Sequence, residues 1–206
     1  MSVVISRNSE NRKNRKFDRV SYMWFFLDKM MKHVITTLLF LLLVSSSLNI
    51  ALAEDIYQEP QAFLQDVFNH KIPKPQMIWI TKAKRAVITD ILGHKPHSLR
   101  IRYWEQNGRT AWILDEIGKE EPITTGIVIK QGQIEQLKVL IFRESRGWEV
   151  RYPFFTDQFK GVLLTFDYDL NQHIDGITGA TLSVRALKKL ARLSLYLHQQ
   201  SQAGKQ

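Results

Sequence analysis

At 206 residues the chain is long enough for one domain with a real hydrophobic core behind an N-terminal leader. The absence of cysteine excludes disulfides, iron–sulfur clusters, thiolate zinc sites and covalently attached c-type haem. The net charge of +9 divides into +5 over residues 1–53 and +4 over the rest. That is a mildly basic domain without the charge footprint of nucleic-acid binding.

Residues 34–44 are an unbroken apolar or hydroxyl-bearing run behind Lys32, followed by serines and by Ala51-Leu-Ala53. The run is short for a bilayer span, and the small residues offer an A-x-A site, so a signal peptide cleaved after Ala53 is expected. Retention as an uncleaved anchor is the alternative, and would leave the protein membrane-associated. The basic residues from Arg7 to Lys29 are unusual for a leader and precede Met30 and Met31. Translation starting at Met31 would explain them. Residues 1–53 are therefore read as leader and 54–97 as a helical or irregular first part of the exported domain. The main domain is read over 98–200, with a disordered tail at 201–206.

Within the exported part, residues 59–69 carry Phe63, Val67 and Phe68 at helical spacing after Pro60. A short strand at 77–79 and a helix over 83–92 closed by Gly93 follow. Residues 98–104 alternate apolar and polar side chains, Asn107-Gly108 marks a hairpin, and 110–114 is the return strand. A second pair, 123–130 and 133–142, turns at Gln131-Gly132. An aromatic-rich helix is expected over 152–158 and a strand over 162–169. The last helix is predicted over 182–199, with Val184, Leu187, Ala191 and Leu195 as its apolar stripe. Arg185, Lys188, Lys189 and Arg192 occupy its other side. The fold class is α+β, with a mainly antiparallel meander sheet, flanking helices and a long C-terminal helix.

Two segments carry candidate chemistry. In Asp175-Gly-Ile-Thr-Gly-Ala-Thr181-Leu-Ser183, Gly176 and Gly179 permit a tight turn, and Thr181 meets the start of the last helix. A helix start exposes unpaired N–H groups and a positive dipole end, which favours phosphate; taken alone, Thr181 reads as an N-cap. His94-Lys-Pro-His97 places two imidazoles three residues apart. Pro96 opposes a helical face and no third ligand is nearby, so a surface loop is expected and no metal site.

The Asp175–Ser183 run resembles the flavinylation motif of the FMN-binding domain. That domain occurs in the C subunit of sodium-pumping NADH:quinone reductase, the Rnf G subunit and small exported flavoproteins. Pro122-Ile-Thr-Thr-Gly-Ile-Val-Ile-Lys-Gln-Gly-Gln-Ile134 and Phe142-Arg-Glu-Ser-Arg-Gly-Trp148 match upstream signatures in the same order. The resemblance covers about half of the chain, from near Trp104 to the end of the last helix. It implies FMN esterified through its phosphate to Thr181 by a flavin transferase, with Gly179 and Ala180 in the attachment turn. Glu144, Ser145, Gly147 and Trp148 would belong to a loop approaching the flavin ring. Trp148 is either a stacking partner or core packing. Glu144 either bonds the ring or ribityl chain, or is a solvated acid paired with Arg143 or Arg146. Thr125 and Thr178 are candidates for phosphate or ribityl contact, or simple turn residues. Asp175 would shape the loop or be read by the transferase, and Arg185 or Lys188 would supply counter-charge.

The function implied is electron transfer in the periplasm with a membrane or periplasmic redox partner. It is more a carrier than an independent enzyme, and no catalytic residue stands out. A flavin-dependent reductase of a small acceptor is one alternative; it requires a second cavity and a proton donor. A binding module of the same fold that is never flavinylated is the other.

Overall fold

The computed structural model describes residues 22–40 and 55–203. Residues 22–40 are helical with exposed side chains and belong to a unit spanning Met1–Leu52. No helix among the described residues is long and apolar enough to cross a membrane. The expected cleavage site at Ala53 lies outside the described residues.

The second unit, Ala53–Gln206, is built on two tight hairpins. Strand β3 (Arg100–Gln106) turns into β4 (Arg109–Ile117) through Asn107 and Gly108, both at positive φ. Strand β5 (Pro122–Lys130) turns into β6 (Gln133–Phe142) through Gln131 and Gly132, again both positive. Two consecutive left-handed residues twist a two-residue turn to match its strands. Strands β1 (Asp55–Ile56) and β2 (Gln76–Trp79) complete an antiparallel sheet of order β1-β6-β5-β4-β3-β2. Residues 55–97 thus contribute both edge strands to the sheet that holds the hairpins.

Central strand β5 is buried on both faces, which explains its nearly continuous apolar sequence. On one face helix α1 (Pro60–Val67) presses Phe63 onto Gly126. A Cβ at Gly126 would lie 2.6 Å from the Phe63 ring, so only glycine admits that approach. The other face carries the main core beneath helix α4 (Thr181–Ala203), with Ile123, Ile127 and Ile129 against Leu187 and Leu190. Helix α2 (Lys82–Leu92) packs beside α4, capped by Thr81 and closed by Gly93 at φ 77.

Several expectations are corrected. Residues 162–169 form no strand, only a bridge between Leu164 and Leu170. The Thr165 hydroxyl donates to Asp167 and accepts the Asp169 N–H, folding the chain back on itself before a ladder can form. The aromatic segment breaks into 3₁₀ turns at Trp148–Arg151 and Asp157–Phe159 around the single turn α3 (Pro153–Thr156). Pro153 suits only a helix start, which splits the segment. The predicted tail is helical to Ala203, with Ser201 buried and its hydroxyl donating to the His198 carbonyl.

The sheet is continuous from β1 to β4 but forks beyond it. Strand β3 pairs with β4 only through Trp104–Gln106, while Arg100–Tyr103 pairs with β2 instead.

Candidate functional site

Three segments meet at the sheet end opposite the hairpin turns: the β4–β5 turn, the loop after β6, and the start of α4. Their residues line a cavity of about 470 Å³, within the range of small-molecule sites. Lys119 comes from the turn, Glu144, Ser145 and Arg146 from the loop, and Gly179 to Ser183 from the helix start.

The helix start has an unusual cap. The Val184 N–H donates to the Ala180 carbonyl at 2.9 Å, so Ala180 occupies the N-cap and Thr181 is the first helical residue. Alanine offers no side-chain oxygen to the first-turn N–H groups, the usual service of an N-cap residue. The N–H groups of Thr181, Leu182 and Ser183 precede the first rung of the helix ladder and lie at the cavity. Ahead of them the Ala180 N–H donates to Ile177 at 3.0 Å, closing a turn in which Gly179 sits at φ 87. Gly179 is where the motif uses glycine's left-handed freedom; Gly176 has no positive φ. The Thr181 side chain is exposed, whereas Ala180 is buried beneath it.

Glu144 differs from both sequence readings. Its Oε1 accepts the backbone N–H groups of Lys119, Glu120 (2.7 Å) and Glu121 (3.0 Å). The carboxylate therefore organises the β4–β5 turn while lining the cavity, and Gly118 allows the approach. A Cβ on Gly118 would fall 2.9 Å from that oxygen. Gly147, at φ 86, stands behind the loop and abuts Ser183 and Ala180.

Other residues are placed away from the cavity. Thr125 is fully buried at the centre of β5, its hydroxyl without a hydrogen-bond partner, facing the α4 core. Strand alternation puts it with Ile123 and Ile127, which removes it from phosphate contact. Thr178 is exposed in the turn but does not line the cavity, and Asp175 is exposed with its N–H donated to Gln158. Trp148 is 40% exposed, so core packing is excluded; its ring meets the edge of Tyr152 and lies 5.0 Å from Arg151. It stands next to the cavity loop rather than in the cavity wall.

The cations at the cavity are Lys119 and Arg146, not Arg185 or Lys188. Lys119 and Glu120 are paired at 2.7 Å, which raises the lysine above its ordinary value and lowers the glutamate. On α4, Lys189 and Arg192 are half-buried and engaged with Glu116 and the Tyr168 carbonyl, so they are not a solvated face. The sequence reading missed Lys119, Arg146, Leu182 and Ser183. Gly118 before Lys-Glu-Glu was the signal available for the turn.

The 94–97 segment is a surface loop as expected, but His94 is engaged within it. That residue is half-buried, with Nε2 3.0 Å from the buried Glu116 carboxylate. Among the described residues no group of histidines and carboxylates is arranged to hold a metal ion.

The cavity joins first-turn N–H groups, a positive dipole end, two cations and an exposed hydroxyl. That donor set suits a phosphate, and the space around it suits the remainder of a nucleotide-sized cofactor. No curated protein and no solved structure matches the chain. Residues 118–195 do match the model of the FMN-binding domain family, and that stretch contains every residue lining the cavity. Over that stretch, 78 of the 206 residues, the chain is similar to the FMN-binding domain.

Proposed function

We propose that FMN is held through a phosphoester to Thr181 and that the protein works as an exported electron-transfer flavoprotein. The observation that carries this reading is the exposed Thr181 hydroxyl on the first residue of α4, inside a cavity shared with Lys119 and Arg146. The first-turn N–H groups and the two cations offset phosphate charge there, while Thr181 fixes the tail of the cofactor. FMN supplies one- or two-electron chemistry when bound; the chain supplies attachment and orientation. Ser145, Leu182 and the Trp148 side of the loop are the surfaces nearest the tail and the ones proposed to meet the ring. The leader read over residues 1–53 supports export to the periplasm, where a tethered flavin is not lost by diffusion. Maturation requires a flavin transferase on the same side of the membrane, and a membrane or periplasmic redox protein is the proposed partner.

The experiment is an intact mass after co-expression with an exported flavin transferase. The expected adduct is one FMN less one water, absent in Thr181→Ala and retained in Thr178→Ala. An adduct persisting in Thr181→Ala overturns the assignment. A protein beginning at Glu54 and kept in the cytoplasm should stay unmodified beside the same exported transferase.

A further inference from the structure

Helix α4 buries all three of its serines, and they divide by what their hydroxyls touch. Ser194 donates to the Ala191 carbonyl at 2.9 Å, and Ser201 to the His198 carbonyl at 2.7 Å. A helical serine finds an acceptor there because its side chain lies over the preceding turn. For Ser183 the corresponding acceptor is the Ala180 carbonyl, which takes the Val184 N–H at 2.9 Å. Among the described residues no group bonds the Ser183 hydroxyl, although the residue is only 4% exposed. Its oxygen lies 2.5 Å from the place a Cβ would take at Gly147, so the loop after β6 roofs it. The same residue lines the cavity between that loop and the helix start.

A buried hydroxyl without a partner is costly, so its persistence at a cavity wall points to a ligand that completes it. The neighbouring groups say what kind. First-turn N–H groups, the Arg146 guanidinium and the Lys119 ammonium, the last shared with Glu120, are all donors. The carboxylate in the wall, Glu144, is engaged through Oε1 by three N–H groups of the β4–β5 turn. A group rich in acceptor oxygens satisfies this set, and a phosphate has enough of them to take the hydroxyl as well.

We propose that Ser183 is a second phosphate-binding hydroxyl, which holds without a covalent bond the phosphate that Thr181 carries. This rests on the reading of the cavity as the flavin site. Exposure divides the two residues: a transferase can reach the exposed Thr181, whereas Ser183 lies beneath Gly147. One carries the phosphate and the other orients it. The contact needs no ester, so the unmodified chain binds a phosphate end reversibly.

The test is calorimetric titration of the full, unflavinylated chain with inorganic phosphate, FMN and riboflavin. Phosphate should bind, and FMN should bind at least about tenfold more tightly than riboflavin, which lacks the phosphate. Ser183→Ala should weaken phosphate and FMN by about five- to tenfold and leave riboflavin unchanged. Free of ligand, the same variant should melt no lower than the parent, because it removes a buried hydroxyl that has no partner. A packing role for Ser183 predicts the reverse, a lower melting temperature with unchanged affinities. Thr181→Ala should still bind FMN more tightly than riboflavin, so failure of the covalent assignment leaves this result standing. Phosphate binding that depends on Ser183, beside no preference for FMN, upholds the phosphate contact and sinks the flavin reading instead. Phosphate and FMN bound equally by the parent and Ser183→Ala, or neither bound at all, overturns the proposal.

Discussion

Gly147 and Ser183 touch across the site: a Cβ on Gly147 would lie 2.5 Å from the Ser183 hydroxyl oxygen. The loop after β6 and the first turn of α4, 36 residues apart in sequence, are set at this spacing by the absence of one carbon. Gly147→Ala meets two penalties, the contact and a φ of 86. It should cost about 2 kcal/mol by urea denaturation. Adding Ser183→Ala relieves the contact but not the backbone strain, so about half of the loss should return. Strict additivity of the two substitutions would show that the segments are not in contact.

Glu144 offers a second measurement. Glu144→Ala leaves the Lys119, Glu120 and Glu121 N–H groups without their shared acceptor, at a cost of about 1–3 kcal/mol. Glu144→Gln should cost less, because an amide oxygen still accepts at part strength. Hydrogen exchange at these three amides should quicken more than at the rest of the sheet. Unchanged exchange in Glu144→Ala would show that the turn holds itself.

The Glu116–Lys189 pair joins β4 to α4 with its carboxylate 4% exposed. Lys189→Met strands that charge with His94 as its other partner and should destabilise the domain by about 3 kcal/mol. Glu116→Leu combined with Lys189→Met removes both charges and should recover most of that. A double variant as unstable as the sum of the singles would show that the two charges are not coupled.

For Trp148, half-exposure sets a small expected effect. Trp148→Ala loses an edge contact with Tyr152 and the neighbouring Arg151, together about 1 kcal/mol, not the 3–5 kcal/mol of a core aromatic. In flavin-loaded protein the same variant should raise flavin fluorescence if the indole lies on the ring. Loss of more than about 3 kcal/mol would return the residue to the core.

How much of this was legible follows from the range of each interaction. The two hairpins could be read because Asn107-Gly108 and Gln131-Gly132 encode their turns within two residues. The last helix was legible from its periodicity, and the turn that leads into it from Gly179. The clamp of Glu144 on residues 119–121 was not, because no local pattern announces a carboxylate reaching back across a strand pair. Trp148 read as core or cofactor contact because indoles are usually covered; the positive φ of Gly147 turns the chain outward before it. The fork depended on where β3 changes partners, a choice made by β2 from outside the hairpin.

The antiparallel meander also gives the Ala53–Gln206 unit two poles. The turns at 107–108 and 131–132 share one end, while the Glu144-bound turn and the start of α4 share the other. The first pole is closed by self-sufficient two-residue turns whose glycines face open space, and nothing in the cavity depends on them. A fluorophore or affinity handle grafted at Gln131-Gly132 would therefore leave the chemistry untouched. It would give this protein a neutral attachment point for tethering, imaging or pulling down whatever docks at the opposite pole.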